Sequence, residues 1–259
     1  MILRRVIAHF RKQEWTAIFL DFLIVVVGVF VGLQVNNWNE ARVEHNQIRA
    51  YMLALKEDIA NDREMLAIVT DQINDTLEKA DRLADYGRGR ALEEFDNLDL
   101  YLLVPSGTYR PYSWNRTTFA QLSATGGASN IKDAELREMV ADYQAKTEHL
   151  DLDYENDESL FGAVIELSNS VIDRNYPDRS ALSYERLGGF EKARASEAYL
   201  AAQALNLPVT ATDIREVRQM INSILILQGN LRPRAEREIP ELIDLGASII
   251  ERIDQEYGD

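Results

Sequence analysis

TAIFLDFLIVVVGVFVGLQVNN, residues 16–37, is one strongly apolar run with Trp15 on one side and Trp38 on the other. At about 1.5 Å rise per residue, the helical distance between the two tryptophans is roughly 34 Å, slightly more than the ~30 Å hydrocarbon layer of a bilayer. Indole rings favour the headgroup level, so Trp15 and Trp38 are expected at the two membrane interfaces. Asp21 stands only five residues into the run, close enough to its end to reach headgroups or water. Gly28 and Gly32 lie four apart as GVFVG, a spacing that lets two helix backbones approach closely. The run reads as an uncleaved anchor, because Gln34-Val35-Asn36-Asn37-Trp38 offers no small-residue cleavage site after it.

Working outward, residues 1–15 carry Arg4, Arg5, Arg11 and Lys12 against Glu14, with Ile2, Leu3, Val6, Ile7 and Phe10 on the opposite helical face. That split predicts an amphipathic segment lying on an anionic leaflet. Positive charge stays inside, so residues 1–15 are expected in the cytoplasm and residues 38–259 on the far side, a bacterial periplasm. The whole chain carries −15 and its first 15 residues +3, leaving −18 for the remainder. Such acidity argues against nucleic-acid binding, which needs basic surface to neutralise phosphates. Cysteine is absent, which excludes disulfides, thiolate metal sites and cysteine nucleophiles.

The string LIVVVGVFVGLQVNNWNEAR, residues 23–42, resembles the N-terminal signature of a widespread family of uncharacterised bacterial membrane proteins, in which an acid precedes an aliphatic run with glycine and then LQ-hydrophobic-NNWNE. Gly28, Gln34, Asn36, Asn37, Trp38, Asn39 and Glu40 match that pattern, and Asp21 falls where the family usually has Glu. Residues 118–144, TFAQLSATGGASNIKDAELREMVADYQ, resemble its middle segment, with Gln144 where a second tyrosine is common and an extra glycine in the turn. The resemblance implies a single-pass inner-membrane protein with a helical exported domain. It carries no catalytic residues, because the family brings no established activity with it.

Beyond Trp38 the helical pattern barely pauses. Apolar residues recur at Ile48, Met52, Leu55, Ile59, Leu66, Val69, Ile73, Ala80 and Leu83, and only Asp62 and Thr76 break the seam. This predicts a stalk-like helix of roughly 45 residues, closed by Arg88-Gly89-Arg90 and able to carry the domain tens of Å from the bilayer. Short helices are expected over 92–103 and 114–125, followed by long ones over 133–176, 212–229 and 234–257. Asp133, and Thr212 or Asp213, stand ready as N-caps, while Pro233 and Pro240 start or kink the last helix. Gly126-Gly127 and Gly188-Gly189 read as turns between helices. No stretch alternates with period two, so the predicted class is all-α: a long-helix bundle with short inserted helices.

Chemistry is sparse. The acidic run EHLDLDYENDE, residues 148–158, misses the EF-hand glycine and terminal glutamate, and its Asp151, Glu155 and Glu158 are expected on a solvated face. His9, His45 and His149 show no metal-ligand spacing, so no metal site is expected. No serine stands in a nucleophile motif and no glycine-rich phosphate cradle occurs, so neither catalytic residues nor a cofactor is expected. The densest group of hot-spot residue types is Tyr109, Arg110, Tyr112, Trp114 and Arg116, the first place to look for partner or ligand contacts, although the favoured reading is that the rings plug the end of the bundle over the inserted helices. The leading expectation is an anchored interaction or accessory protein whose partners are the lipid bilayer and a second copy or another membrane protein. The alternative is a sensory or ligand-binding module that signals through a partner.

Overall fold

The structure is a computed structural model that describes residues 15–124, 129, 131–182 and 184–258, apart from the side chains of Thr16, Ala17 and Glu185. The basic N-terminal segment and Gly126-Gly127 lie outside the described residues, and so do the expectations attached to them. The fold is all-α. Among the described residues the extended pairing is an isolated antiparallel bridge between Ile172 and Val209.

The chain divides into two compact units, residues 1–53 and 54–259. The apolar run lies in the first. It forms part of α1, Trp15–Gly87, a single helix of 73 residues in place of two abutting ones. No glycine pair, proline or competing cap interrupts the sequence at Trp38, so nothing stops the backbone ladder there. Around the apolar run every direction is exposed: Phe19, Phe22, Ile24, Val25, Val29, Phe30 and Leu33 all stand open, as do Trp15 and Trp38. A helix apolar all round and unburied has the length and composition to cross a membrane.

The second unit begins inside α1 and takes its core from the predicted seam. Leu55, Ile59, Leu66, Val69, Ile73, Ala80 and Leu83 are buried, each large side chain contributing about 1.5–3 kcal/mol relative to exposure. The helix ends at Gly87, and Gly89 at φ +75° turns the chain away, as glycine does without strain. Asp96 then accepts from the N–H groups of Leu98 and Asp99 to cap α2, Asn97–Leu103. The predicted helix over 92–103 is thus split into a 3₁₀ turn at Leu92–Glu94 and a capped α-helix. An extended segment leads to α3, Thr117–Ala124.

The second long helix is α4, Ala134–Val171, capped by the Asp133 carboxylate as its sequence foretells, though it stops at Val171 instead of continuing to residue 176. The chain is turned there by bonds on both sides. Thr210 N–H donates to Val171 O, while buried Asn97 donates to Asp173 O at 2.8 Å and accepts from Asp173 N–H at 2.9 Å. Three short helices follow: α5, Tyr184–Leu187; α6, Phe190–Arg194; and α7, Glu197–Gln203. Helices α6 and α7 are separated at Ser196, whose hydroxyl caps α7 by accepting from Tyr199 N–H.

Asp213 caps α8, Ile214–Pro233, and α9, Ile239–Tyr257, ends the domain. Between the two prolines Arg234–Glu238 winds as a π-helical turn, so the chain is kinked without a loop. Helices α8 and α9 pack on α4. Helix α1 joins them through Gln228 Nε2, which donates to Asp81 at 2.5 Å, and Lys56, which pairs with Asp254 at 2.6 Å. Gly246 of α9 permits a close approach. A Cβ there would stand 3.0 Å from Ile59 Cγ2 and 3.3 Å from Tyr143 Cε2.

Candidate functional site

Helices α1, α3 and α4, with the segment leading into α3, line a cavity of about 300 Å³ that is open to solvent on one side. Trp114, Phe119 and Tyr143 supply aromatic walls, with Ala120 and Thr147 between them, and Gln144 and Glu148 complete the α4 side. The rings of Phe119 and Tyr143 lie nearly parallel, 5° apart in plane with centroids 6.3 Å apart. The lining is largely apolar with a few polar groups, the usual make-up of a small-molecule site.

Asp62, from the α1 seam, is only 5% exposed and lines this cavity. The Tyr143 hydroxyl donates to its Oδ2 at 3.0 Å. Its second oxygen, Oδ1, accepts no hydrogen bond among the described residues. Burial pushes the Asp62 carboxyl up to about 6, with the charge of Asp58 reinforcing the shift and the Tyr143 bond and Arg116 opposing it. Burial likewise holds the Tyr143 phenol protonated, so it stays a donor.

Asp58, one turn earlier, is buried too but fully engaged. Asn115 Nδ2 donates to one oxygen at 2.6 Å and Thr118 Oγ1 to the other at 2.5 Å, which fixes the start of α3 over the cavity. Trp114 Nε1 donates to Asp151 at 2.9 Å and the Arg116 guanidinium pairs with the same carboxylate. Of the five candidate contact residues, the structure therefore brings Trp114 and Arg116 to the cavity. Tyr109 and Tyr112 instead pack inward against Tyr154, with ring centroids 5.3 and 6.3 Å away, and Tyr112 stacks on Trp114. Arg110 is exposed and gives its backbone N–H to Gln72. The loop is a plug on one side and a cavity wall on the other.

Asp151, Glu155 and Glu158 lie on an outward face as expected, but the acidic run also sends one carboxylate inside. Glu155 and Glu158 are exposed, but Asp151 is engaged as above and Asp157 is fully buried. Asp157 accepts from the Tyr109 hydroxyl at 3.1 Å and lies 3.6 Å from Arg234 Nε. Arg234 also pairs with Asp153 at 2.7 Å and Glu238 at 2.5 Å. Burial opposes the Arg234 charge, yet the bond to Glu238 and the nearby carboxylates outweigh it and hold the guanidinium ionised. Burial raises Asp157 in turn.

His149 is not isolated from acids, as its sequence neighbourhood suggests. Its Nε2 lies 3.3 Å from Asp153, one turn along α4, and Glu238 completes a trio of potential ligand atoms within 4.8 Å of one another. The i, i+4 spacing of His149 and Asp153 is the signal that could have revealed it. Arg234 already bonds both carboxylates of the trio, so a dication there would meet a buried positive charge, and the arrangement is an ion-pair network.

Gly28 and Gly32 lie in the apolar run, and a Cβ placed on either would meet nothing within 4 Å. Asp21 is exposed within the same run. Compared with known protein families, curated proteins and solved structures, the chain matches none.

Proposed function

We propose that this protein is a ligand-binding module on a single-pass anchor of a bacterial inner membrane, with the basic N-terminus in the cytoplasm and the helical domain in the periplasm. The cavity walled by Trp114, Phe119 and Tyr143 carries the reading, because Asp62, only 5% exposed, lines it with an oxygen, Oδ1, that accepts no hydrogen bond among the described residues. A carboxylate largely withdrawn from water and only half satisfied by protein donors is a place where a ligand can supply the missing partner. The basic N-terminus supports the orientation. No catalytic role is proposed: Asp58, the acid one helical turn before Asp62, has both oxygens engaged and is not available as a partner acid or base.

The test is a thermal-shift screen of the full-length protein in nanodiscs against small aromatic and aliphatic compounds, repeated on Ala120→Trp, which fills the cavity. Compounds that raise the Tm of the wild type and leave Ala120→Trp unmoved support the reading. A screen without such compounds contradicts it.

A second reading, self-association through the span, is favoured by the open face at Gly28 and Gly32. Cross-linking in native membranes that yields dimers, lost in Gly28→Leu/Gly32→Leu, supports it; unchanged monomers in both would remove it.

A further inference from the structure

Within the ligand-binding reading, the lining of the cavity carries a narrower conclusion about its occupant. We infer that the cavity takes a small organic amine, whose ammonium donates to Asp62 Oδ1 while its apolar body lies against Trp114, Phe119 and Tyr143. This inference rests on the ligand-binding reading and narrows it.

Three observations converge. First, the open group is an acceptor. Tyr143 satisfies Oδ2, Oδ1 has no donor among the described residues, and the residue is 95% buried, so the occupant must bring an N–H or O–H. Second, the walls are aromatic. A cation within about 6 Å of an aromatic centroid is attracted by the ring quadrupole, and tryptophan is the strongest such partner. An anion or a neutral acceptor gains nothing from the same walls.

Third, the local charge is negative. Asp58 and Asp62 of α1, Asp151 and Glu148 of α4 and Arg116 from the segment before α3 are the ionisable groups about the cavity, and Arg116 is paired with Asp151. Arg63, whose charge reaches Tyr143, stands next to Asp62 in sequence. Four acids against two arginines leave an excess of negative charge, in a chain that is itself acidic. A carboxylate or phosphate ligand would face that excess, since Arg63, whose Nε is buried without a partner, is not among the residues that line the cavity.

Ionised Asp62 is costly without a counter-charge, and burial raises its carboxyl to about 6. An ammonium supplies the missing charge and the missing hydrogen bond together, as charge-assisted bonds in dry sites do. At neutral pH the site is therefore set for a cation.

The experiment compares three probes of nearly equal shape, 2-phenylethylamine, 2-phenylethanol and phenylacetate, by calorimetry with the full-length protein in nanodiscs at pH 7.5. The amine is expected to bind at least about tenfold more tightly than the alcohol, and phenylacetate not to bind the cavity. Asp62→Asn, which keeps the shape and an acceptor for Tyr143, is expected to remove that preference while the far-UV circular dichroism stays that of the wild type. Equal binding of amine and alcohol, or amine affinity unchanged in Asp62→Asn, overturns the inference and leaves the ligand-binding reading standing on Ala120→Trp-sensitive compounds of other chemistry. Failure of all three probes, with no Ala120→Trp-sensitive compound of any charge, overturns both.

Discussion

Asp62 and Tyr143 meet across the buried face between α1 and α4, 81 residues apart in sequence, with the tyrosine hydroxyl 3.0 Å from one carboxylate oxygen and the cavity beside the other. The pairing of a charge that burial disfavours with a donor that only half satisfies it sets the pH behaviour of the domain.

Asp62→Asn is expected to stabilise the protein at neutral pH. The carboxyl is raised from its ordinary 3.8 to about 6, so the unfolded chain releases this proton first. Below about pH 4 both states are protonated and the residue costs nothing. Between about pH 4 and 6 the native state holds more protons than the unfolded one, and stability falls as pH rises; above about 6 the full cost is present. Melting curves should show a Tm gain for Asp62→Asn at pH 7.5 that shrinks at pH 4.5. A variant less stable at both values would contradict the assignment.

Tyr143→Phe keeps the ring facing Phe119 and removes the donor. It is expected to cost about 2 kcal/mol at pH 7.5, the value of a hydrogen bond to a charged acceptor, and less at pH 4.5, where Asp62 is neutral. Thermal melts of the full chain at the two pH values decide it, and a cost independent of pH would show that the bond does not act on the charge.

Much of the fold is legible from local pattern. The seam of α1, the Asp133 and Asp213 caps and the proline-flanked kink before α9 all follow from periodicity and capping chemistry within a few residues. The site is legible only as an irregularity. Asp62 interrupts an apolar seam, which marks it as anomalous, but Tyr143 reads as an ordinary core residue of α4 and nothing local joins the two. Within the acidic run one carboxylate escapes notice for the same reason. Asp157 looks like one more surface acid until Arg234, 77 positions away, meets it inside the protein. Periodicity tells which side of a helix is apolar, and it does not tell which charge waits opposite.

Arg234 is expected to be the most sensitive charged residue of the domain. Arg234→Met leaves Asp153, Asp157 and Glu238 without their shared cation and should cost about 3–5 kcal/mol. The neighbouring Arg237 is two-thirds exposed, and Arg237→Ala should stay within about 0.5 kcal/mol. Chemical denaturation of both variants checks the contrast; equal costs would mean the buried network contributes nothing particular.

Gly246→Leu is expected to lower stability by about 1–3 kcal/mol, because even a Cβ there presses on Ile59 and Tyr143 and no void receives the rest of the side chain. Since Tyr143 lines the cavity, the same variant should also weaken any compound that Ala120→Trp excludes. Thermal shift with and without such a compound measures both, and undiminished binding would place the cavity outside the reach of α9.

The most direct measurement is the ¹³C carboxyl titration of Asp62 in the full-length protein, with and without saturating 2-phenylethylamine. A midpoint near 6 that falls by about one unit or more with the amine is the predicted result, since an ammonium at Oδ1 favours the ionised form. A midpoint near the ordinary 3.8, or one that the amine leaves unmoved, would contradict the account.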